Sequence, residues 1–328
     1  MKLCARALAV SGLLAMLLPV QVVAQQSKND FPNRPIRMIV PFPPGGSNDT
    51  LARYLGIKLT ERVGQQVVID NRAGANGIIG TELAAKTSAD GYTLLMISTS
   101  YVLNAAVRSK PLPYDIETSF DPIALIGSAP NSIVVQPNGP FRSVRDIVEK
   151  AKSKPGSINY AHTGVGGFNH FGGELFKKVA GIDIVPVAYK GGGPAMIDVM
   201  AGNVPVMFSS LTQVLPHVRT GRLNVLAVGS KQRSSVVPDI PTVIESGYPG
   251  YELAVWWGIS TPVGAPAANR EQLSRAFAVI LKDPETKKRL LADAAEPHFM
   301  PGAELRDYIR SERKKWTEVA KQAGIHIE

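Results

Sequence analysis

Val40-Pro41-Phe42-Pro43-Pro44-Gly45-Gly46-Ser47-Asn48-Asp49-Thr50-Leu51-Ala52-Arg53 decides how the rest of this chain is read. The apolar residues before it, Ile36–Val40, read as a short buried strand. Those after Ser47 read as a helix, with leucines at 51, 55 and 59. Between them prolines stiffen a turn whose glycines, Gly45 and Gly46, reach backbone angles closed to other residues and let a ligand approach the main chain. The first N–H groups of a helix lack partners and carry partial positive charge, so such a turn is a seat for a small anion. Phe42, Pro44, Gly45, Gly46, Ser47 and Asp49 are the candidate contacts here. Asp49 is the odd one in sign. In the first turn it suits the helix dipole but repels an anion, so a capping role is favoured over ligand contact.

A second turn of the same design comes about 120 residues later, Tyr160-Ala161-His162-Thr163-Gly164-Val165-Gly166-Gly167-Phe168-Asn169-His170. It follows the strand pattern Ile158–Ala161 and leads into a helix. Thr163, Gly164, Val165, Gly166, Gly167 and His170 are its candidate contacts, offering approachable N–H groups and polar side chains. Alone, either stretch reads equally as a tight strand–helix turn. As a pair facing each other across a cleft they would grip a carboxylate through charge-assisted bonds, with no arginine required. Tyr189-Lys190-Gly191-Gly192-Gly193-Pro194 is a third such turn, with Pro194 suited to the first helical position. Ser98 and Thr99 end one strand and Ser209 another, where hydroxyls orient a polar ligand or cap a turn.

Short apolar strands alternate with helical patterns almost throughout. The strands are expected at Ile36–Val40, Val67–Ile69, Thr93–Ile97, Ile158–Ala161, Ile184–Ala188, Val204–Phe208 and Asn224–Val228. This alternation predicts an α/β fold of parallel, doubly wound sheets flanked by helices, with ligands at the carboxyl ends of the strands. Two proline-rich stretches, 111–138 and 238–266, each hold an extended apolar segment and read as two crossings between lobes. Residues 25–125 plus 257–328 are expected to form one lobe and 126–256 the other. Trp256 and Trp257 fall in the second crossing, where they floor a cleft or pack between lobes.

The ends and the composition bound the function. Lys2 and Arg6, the apolar Ala7–Leu18 and the small residues Val22-Val23-Ala24 read as an export signal cleaved after Ala24, which would place the released protein in the periplasm. Cys4, the single cysteine, lies inside that leader, so the released chain would have no disulfide and no thiolate metal site. The net charge is +9, or +7 less the two leader cations, which suits acidic small molecules. No clustered Lys/Arg with interleaved aromatics points to nucleic acid. The group Arg310, Arg313, Lys314 and Lys315 reads as a solvated helix face.

Enzyme signatures are missing. Gly164-Val165-Gly166 begins a dinucleotide fingerprint that Asn169 breaks, and the Gly45 turn lacks the Lys-Ser/Thr of a phosphate loop. There is no G-x-S-x-G and no H-E-x-x-H, and the five histidines show no metal spacing. No cofactor, metal or catalytic residue is expected.

With these segments in hand, the chain resembles the solute receptors of tripartite tricarboxylate transporters, the Bug receptors. The resemblance runs from about Pro32 to the C-terminus. It rests on Pro41 to Asp49 with Ala52-Arg53, Asn71-Arg72-Ala73-Gly74-Ala75-Asn76-Gly77 with Gly80, and Asp90-Gly91-Tyr92-Thr93-Leu94. Gly164 to Gly167 with His170 and Glu174-Leu175-Phe176 continue it, as does Tyr189 to Ala195. Ala73 stands where the family usually has proline, and Asn76 where glycine is common. The resemblance implies a two-lobed, type II periplasmic-binding-protein-like fold whose lobes close on a small carboxylate, using turns corresponding to Pro43–Asp49 and Thr163–His170. The expected function is a non-enzymatic exported receptor, a monomer, that captures a di- or tricarboxylate, acidic amino acid or aromatic acid and delivers it to membrane permease subunits. A ligand-sensing subunit of a signalling system, or an exported cleft enzyme, are the alternatives.

Overall fold

β1 (Ile36–Val40) is covered on both faces, with Ile36, Met38, Ile39 and Val40 fully buried, as a strand inside a parallel set must be. A computed structural model describes residues 30–327; the expected leader and its cleavage site lie outside these. From β1 the chain runs through α1 (Ser47–Val63), β2 (Val67–Asn71), a single 3-10 turn (Ala75–Gly77), α2 (Ile78–Ala85), β3 (Thr93–Ser98) and α3 (Thr99–Val107). Then come β4 (Phe120–Val135), α4 (Val144–Ser153), β5 (Asn159–His162), α5 (Phe168–Ala180), β6 (Val185–Ala188), α6 (Gly192–Ala201), β7 (Val206–Ser210), α7 (Leu211–Arg219) and β8 (Asn224–Val228). β9 (Ala254–Pro262), α8 (Ala267–Lys282), α9 (Pro284–Ala292), β10 (Glu296–Pro301) and α10 (Gly302–Ala323) complete it.

The strands form one curled mixed sheet in the order β2-β1-β3-β9-β4-β7-β5-β6, with β8 and β10 also paired to β4. Two parallel sets, β2-β1-β3 and β7-β5-β6, match the doubly wound expectation. The strands joining them do not, because β9 and β4 run antiparallel to their neighbours. The extended segment expected within 111–138 is one sixteen-residue strand, β4. Its prolines sit where pairing is irregular. Pro122 lies at a register shift against β9, and Pro130 ends the β9 pairing just before Asn131 takes up β7. β10, with prolines at 297 and 301, shows no strand pattern in the sequence and is held antiparallel to β4 with a bulge after Pro297.

The main core runs from Phe31 to Ile325 and serves both parallel sets, with a smaller cluster under α6 and α7. α10 buries Leu305, Ile309, Trp316 and Ala320 on one stripe, at the three- and four-residue steps of an amphipathic helix. Glu312 lies on the same stripe and is satisfied there, accepting from the indole N–H of Trp316 (2.7 Å) and of Trp256 on β9 (3.1 Å). Trp256 and Trp257 are both buried and pack rather than floor a cleft. On the polar face Arg310 and Arg313 pair with Glu117. No helix among the described residues is long and apolar enough to cross a membrane.

Candidate functional site

The turn between β1 and α1 is held from behind. Gly45 adopts φ +84°, where a side chain is strained, and its N–H donates to Asp49 Oδ2 (3.0 Å). Asp49 also binds Arg53 (2.8 Å) and accepts from Asn71 Nδ2 (2.9 Å), while Asn71 donates again to the Phe42 carbonyl (3.0 Å). Burial alone would raise the Asp49 pKa; the bonds from Arg53, Gly45 and Asn71 outweigh it and hold the carboxylate below its usual range. With its oxygens so engaged, Asp49 braces the turn. Gly46 is the N-cap of α1, and no side chain caps that helix.

The opposite turn is built around two imidazoles. Nδ1 of His162 accepts the Gly164 N–H (3.3 Å), and Nδ1 of His170 accepts the Gly166 N–H (3.2 Å). The rings lie 4.6 Å apart and are buried. Burial, and for His162 the neighbouring ring of His170, lowers both pKa values, that of His162 to about 4. Both rings are therefore neutral near pH 7, as accepting an N–H requires. The first N–H of α5, on Phe168, donates to Ser100 Oγ at the start of α3 (3.3 Å).

The two turns share one cavity of about 570 Å³. Pro41, Phe42, Pro43, Gly46, Ser47 and Asn48 line it from the β1 side, and Thr163, Gly164, Val165, Phe168 and Asn169 from the β5 side. Ala73 to Gly77, between β2 and α2, form a third wall, and Tyr189 to Gly192, between β6 and α6, a fourth. Ser98, Ser100, Arg108, Ser210, Gln213 and Val255 complete the lining. The walls touch at two seams. A Cβ on Gly191 would come 2.9 Å from Pro43, and one on Gly167 would come within 2.3 Å of Asn76 Oδ1. Asn76, at φ 55°, is itself locked by a reciprocal pair with Asn104 (2.9 and 3.0 Å).

Chemically the cavity is a donor box without a counter-charge. α1, α2, α3, α5, α6 and α7 all begin at or beside lining residues, and none has a side-chain cap. Five lining side chains hold a buried polar atom with no partner among the described residues: Asn48 Oδ1, Arg108 Nε, Asn169 Nδ2, Ser210 Oγ and Gln213 Nε2. Buried polar atoms normally find partners, so these await a polar guest or water. Arg108 and Lys190 bring positive charge, and among the described residues no aspartate or glutamate lines the cavity. Among the described residues no cluster of His, Cys, Asp and Glu suits a metal ion.

Of the residues singled out by sequence, Phe42, Gly46, Ser47, Ser98, Thr163, Gly164, Val165 and Tyr189 line the cavity. Pro44, Gly45, Asp49, Thr99, Gly166, Gly167, His170 and Ser209 stand behind it as supports. Thr99 accepts the Trp256 N–H (2.8 Å), and Ser209 Oγ donates to Gln213 Oε1 (3.1 Å). Pro194 stands third in α6 rather than first, because Gly192 and Gly193 already take helical angles; its missing N–H is harmless anywhere in that first turn. Arg108 and Gln213 carried no sequence signal, since only the fold brings the end of α3 and the first turn of α7 to the same cavity.

The model of the tripartite tricarboxylate transporter family receptor matches residues 51–325. The chain belongs to that family. Among proteins of known sequence, protein BugT of Bordetella pertussis is 35% identical over 323 residues, 98% of either chain. The solved periplasmic binding protein BugD is 30% identical with a TM-score of 0.86, covering 91% of this chain and 100% of its own. R. palustris Rpa4515, solved with adipate, is 33% identical with a TM-score of 0.88 over 90% of this chain and 99% of its own. The family is one of substrate-binding receptors rather than enzymes.

Proposed function

We propose that this receptor works in the periplasm, capturing a small organic dicarboxylate in the cavity between the β1 and β5 turns and delivering it to membrane permease subunits. The observation that carries the reading is the convergence of uncapped helix N-termini on one cavity that holds two cations and no acid. A carboxylate there satisfies several donors at once, through charge-assisted bonds. The adipate held by its R. palustris relative supports the ligand class. Residues 25–125 with 257–328, and 126–256, would act as lobes moving about β4 and β9, the strands that join the parallel sets. Ligand preference for the closed form drives the closure, and the permease reads the closed surface.

Protein unfolded and refolded to strip co-purified ligand tests this in a thermal-shift panel of di- and tricarboxylates, acidic amino acids and aromatic acids. A rise in melting temperature with a dicarboxylate is expected, and silence across the panel defeats the reading. Deleting the gene and following uptake of the labelled acid separates delivery from sensing: unchanged uptake would leave only the sensing role.

A further inference from the structure

Arg108 is the one arginine lining the cavity, and its position is fixed by backbone rather than by its own side chain. It follows α3 in extended conformation and forms a one-residue parallel bridge with Ile327. On either side of it the Ile327 N–H donates to Val107 O (2.8 Å) and the Ser109 N–H to Ile327 O (3.1 Å). The β5 turn is seated on the same spot, since a Cβ at Gly166 would lie 2.5 Å from Ile327 Cδ1 and 3.1 Å from Val107 Cγ2. The root of Arg108 is thus held between the bridging Ile327 and the β5 turn.

Its guanidinium is left unspent. Nε is buried without a partner, and the side chain enters no hydrogen bond or ion pair among the described residues. Asp115 shares an outer groove with it, and its Oδ1 accepts the N–H groups of Glu117 and Thr118 (2.7 and 2.9 Å). The half-buried guanidinium borders both the ligand cavity, where no acid stands among the described lining residues, and the outer groove with Asp115; an anionic guest in the cavity would give its buried Nε side a partner. The helix N-termini already supply donors for one carboxylate, so this cation is surplus to a monoacid.

We infer that Arg108 is the specificity-determining residue for a second carboxylate, selecting dicarboxylates over monocarboxylates of equal chain length. This rests on the receptor reading above. One carboxylate sits on the glycine turns, and the other accepts from the planar guanidinium fork, which matches its geometry as an ammonium does not.

The test is calorimetry on refolded protein with α,ω-dicarboxylates of four to eight carbons and the monocarboxylates of matching length. Wild type should favour its best dicarboxylate over the matched monoacid by about 100-fold, the scale of one buried charge-assisted pair. Arg108→Gln should cut that ratio at least about tenfold while monoacid affinity stays within about threefold, and Arg108→Lys should recover part of it. The inference is overturned if the ratio is unchanged in Arg108→Gln, if both ligand classes weaken together, or if the wild type prefers monoacids. Wild type that binds no carboxylate defeats the receptor reading itself, a result read before any variant. A thermal melt of each variant guards against misfolding; should Arg108→Gln not fold, an unchanged ratio in Arg108→Lys overturns the inference.

Discussion

α4 and α9 begin in a different way from the helices around the cavity. Ser143 accepts the Asp146 N–H (3.2 Å) while the Asp146 carboxylate takes the Ser143 N–H in return (3.0 Å), and Asp283 accepts the Thr286 N–H (2.8 Å). At the cavity the corresponding N-cap positions hold Gly46, Gly77, Ser98, Gly167, Gly191 and Ser210, none of which caps its helix. α8 and α10 start after prolines without side-chain caps, so a missing cap alone marks nothing. What matters is that six helix starts whose own N-cap side chain makes no cap bond meet at one place. At α4 and α9 a side chain takes a first N–H group; at the cavity Ser100 takes that of Phe168 in α5, and α1, α3, α6 and α7 leave theirs without a side-chain partner among the described residues.

The sharpest way to break this contrast is to convert one end into the other kind. Gly46→Asp should do so at little cost to the fold. Gly46 has the extended backbone of an ordinary N-cap (φ −85°, ψ 169°), and a Cβ there meets only the Pro43 carbonyl, at 3.9 Å. Aspartate is a slightly better N-cap than glycine, so the melting temperature should hold or rise. Its charge, however, would stand where the guest carboxylate belongs, and like charges in such a site cost several kcal/mol. Affinity should fall by about 100-fold or more in calorimetry. Retained affinity together with unchanged stability would show that α1 does not face the ligand.

Much of this was legible in the sequence because β1, β5 and their turns are local. An apolar run, a glycine turn and a leucine-spaced helix identify themselves, and β1 and β8 have the bounds their patterns predict. Direction was not legible where pairing is long-range. β4 and β9 are apolar strands in either orientation, and only their partners make the sheet mixed. Glycines mislead in the same way. Gly166 reads in sequence as a candidate contact, yet the space beside it belongs to Val107 and Ile327. A substitution at Gly166 acts through packing behind the turn, and only Gly46 tests the cavity itself.

Acid should loosen the β5 side before the β1 side. His162 titrates near 6.5 when unfolded and at about 4 when folded. Between those values the unfolded chain binds more protons, so stability rises with pH and is lost on acidification across the window. Glu174, which accepts from Tyr160 (2.7 Å), favours the charged ring, but burial and the His170 ring outweigh it. On the β1 side Asp49 is held below its usual range and keeps its charge throughout. Ligand-free protein should therefore lose about 5 °C of melting temperature from pH 7 to pH 4.5. His162→Gln should flatten that slope, and an equally steep slope in the variant would assign the acid sensitivity elsewhere.

The smallest effect should come from the capped ends, and its smallness is the point. Ser143→Ala removes the acceptor for the Asp146 N–H and the Oγ–H that donates to Asp146 Oδ1, while the backbone Ser143 N–H still donates to Asp146 Oδ2. Losing an N-cap of this kind costs about 1 kcal/mol, which in a chain this long lowers the melting temperature by about 2–4 °C. Binding should stay within about twofold, because α4 contributes nothing to the cavity lining. Gly46→Asp and Ser143→Ala thus form a mirrored pair, the first costing affinity without stability and the second stability without affinity. A change in ligand Kd from Ser143→Ala would mean that the free and the capped helix ends are coupled through the fold, and the contrast between them would no longer be one of local chemistry.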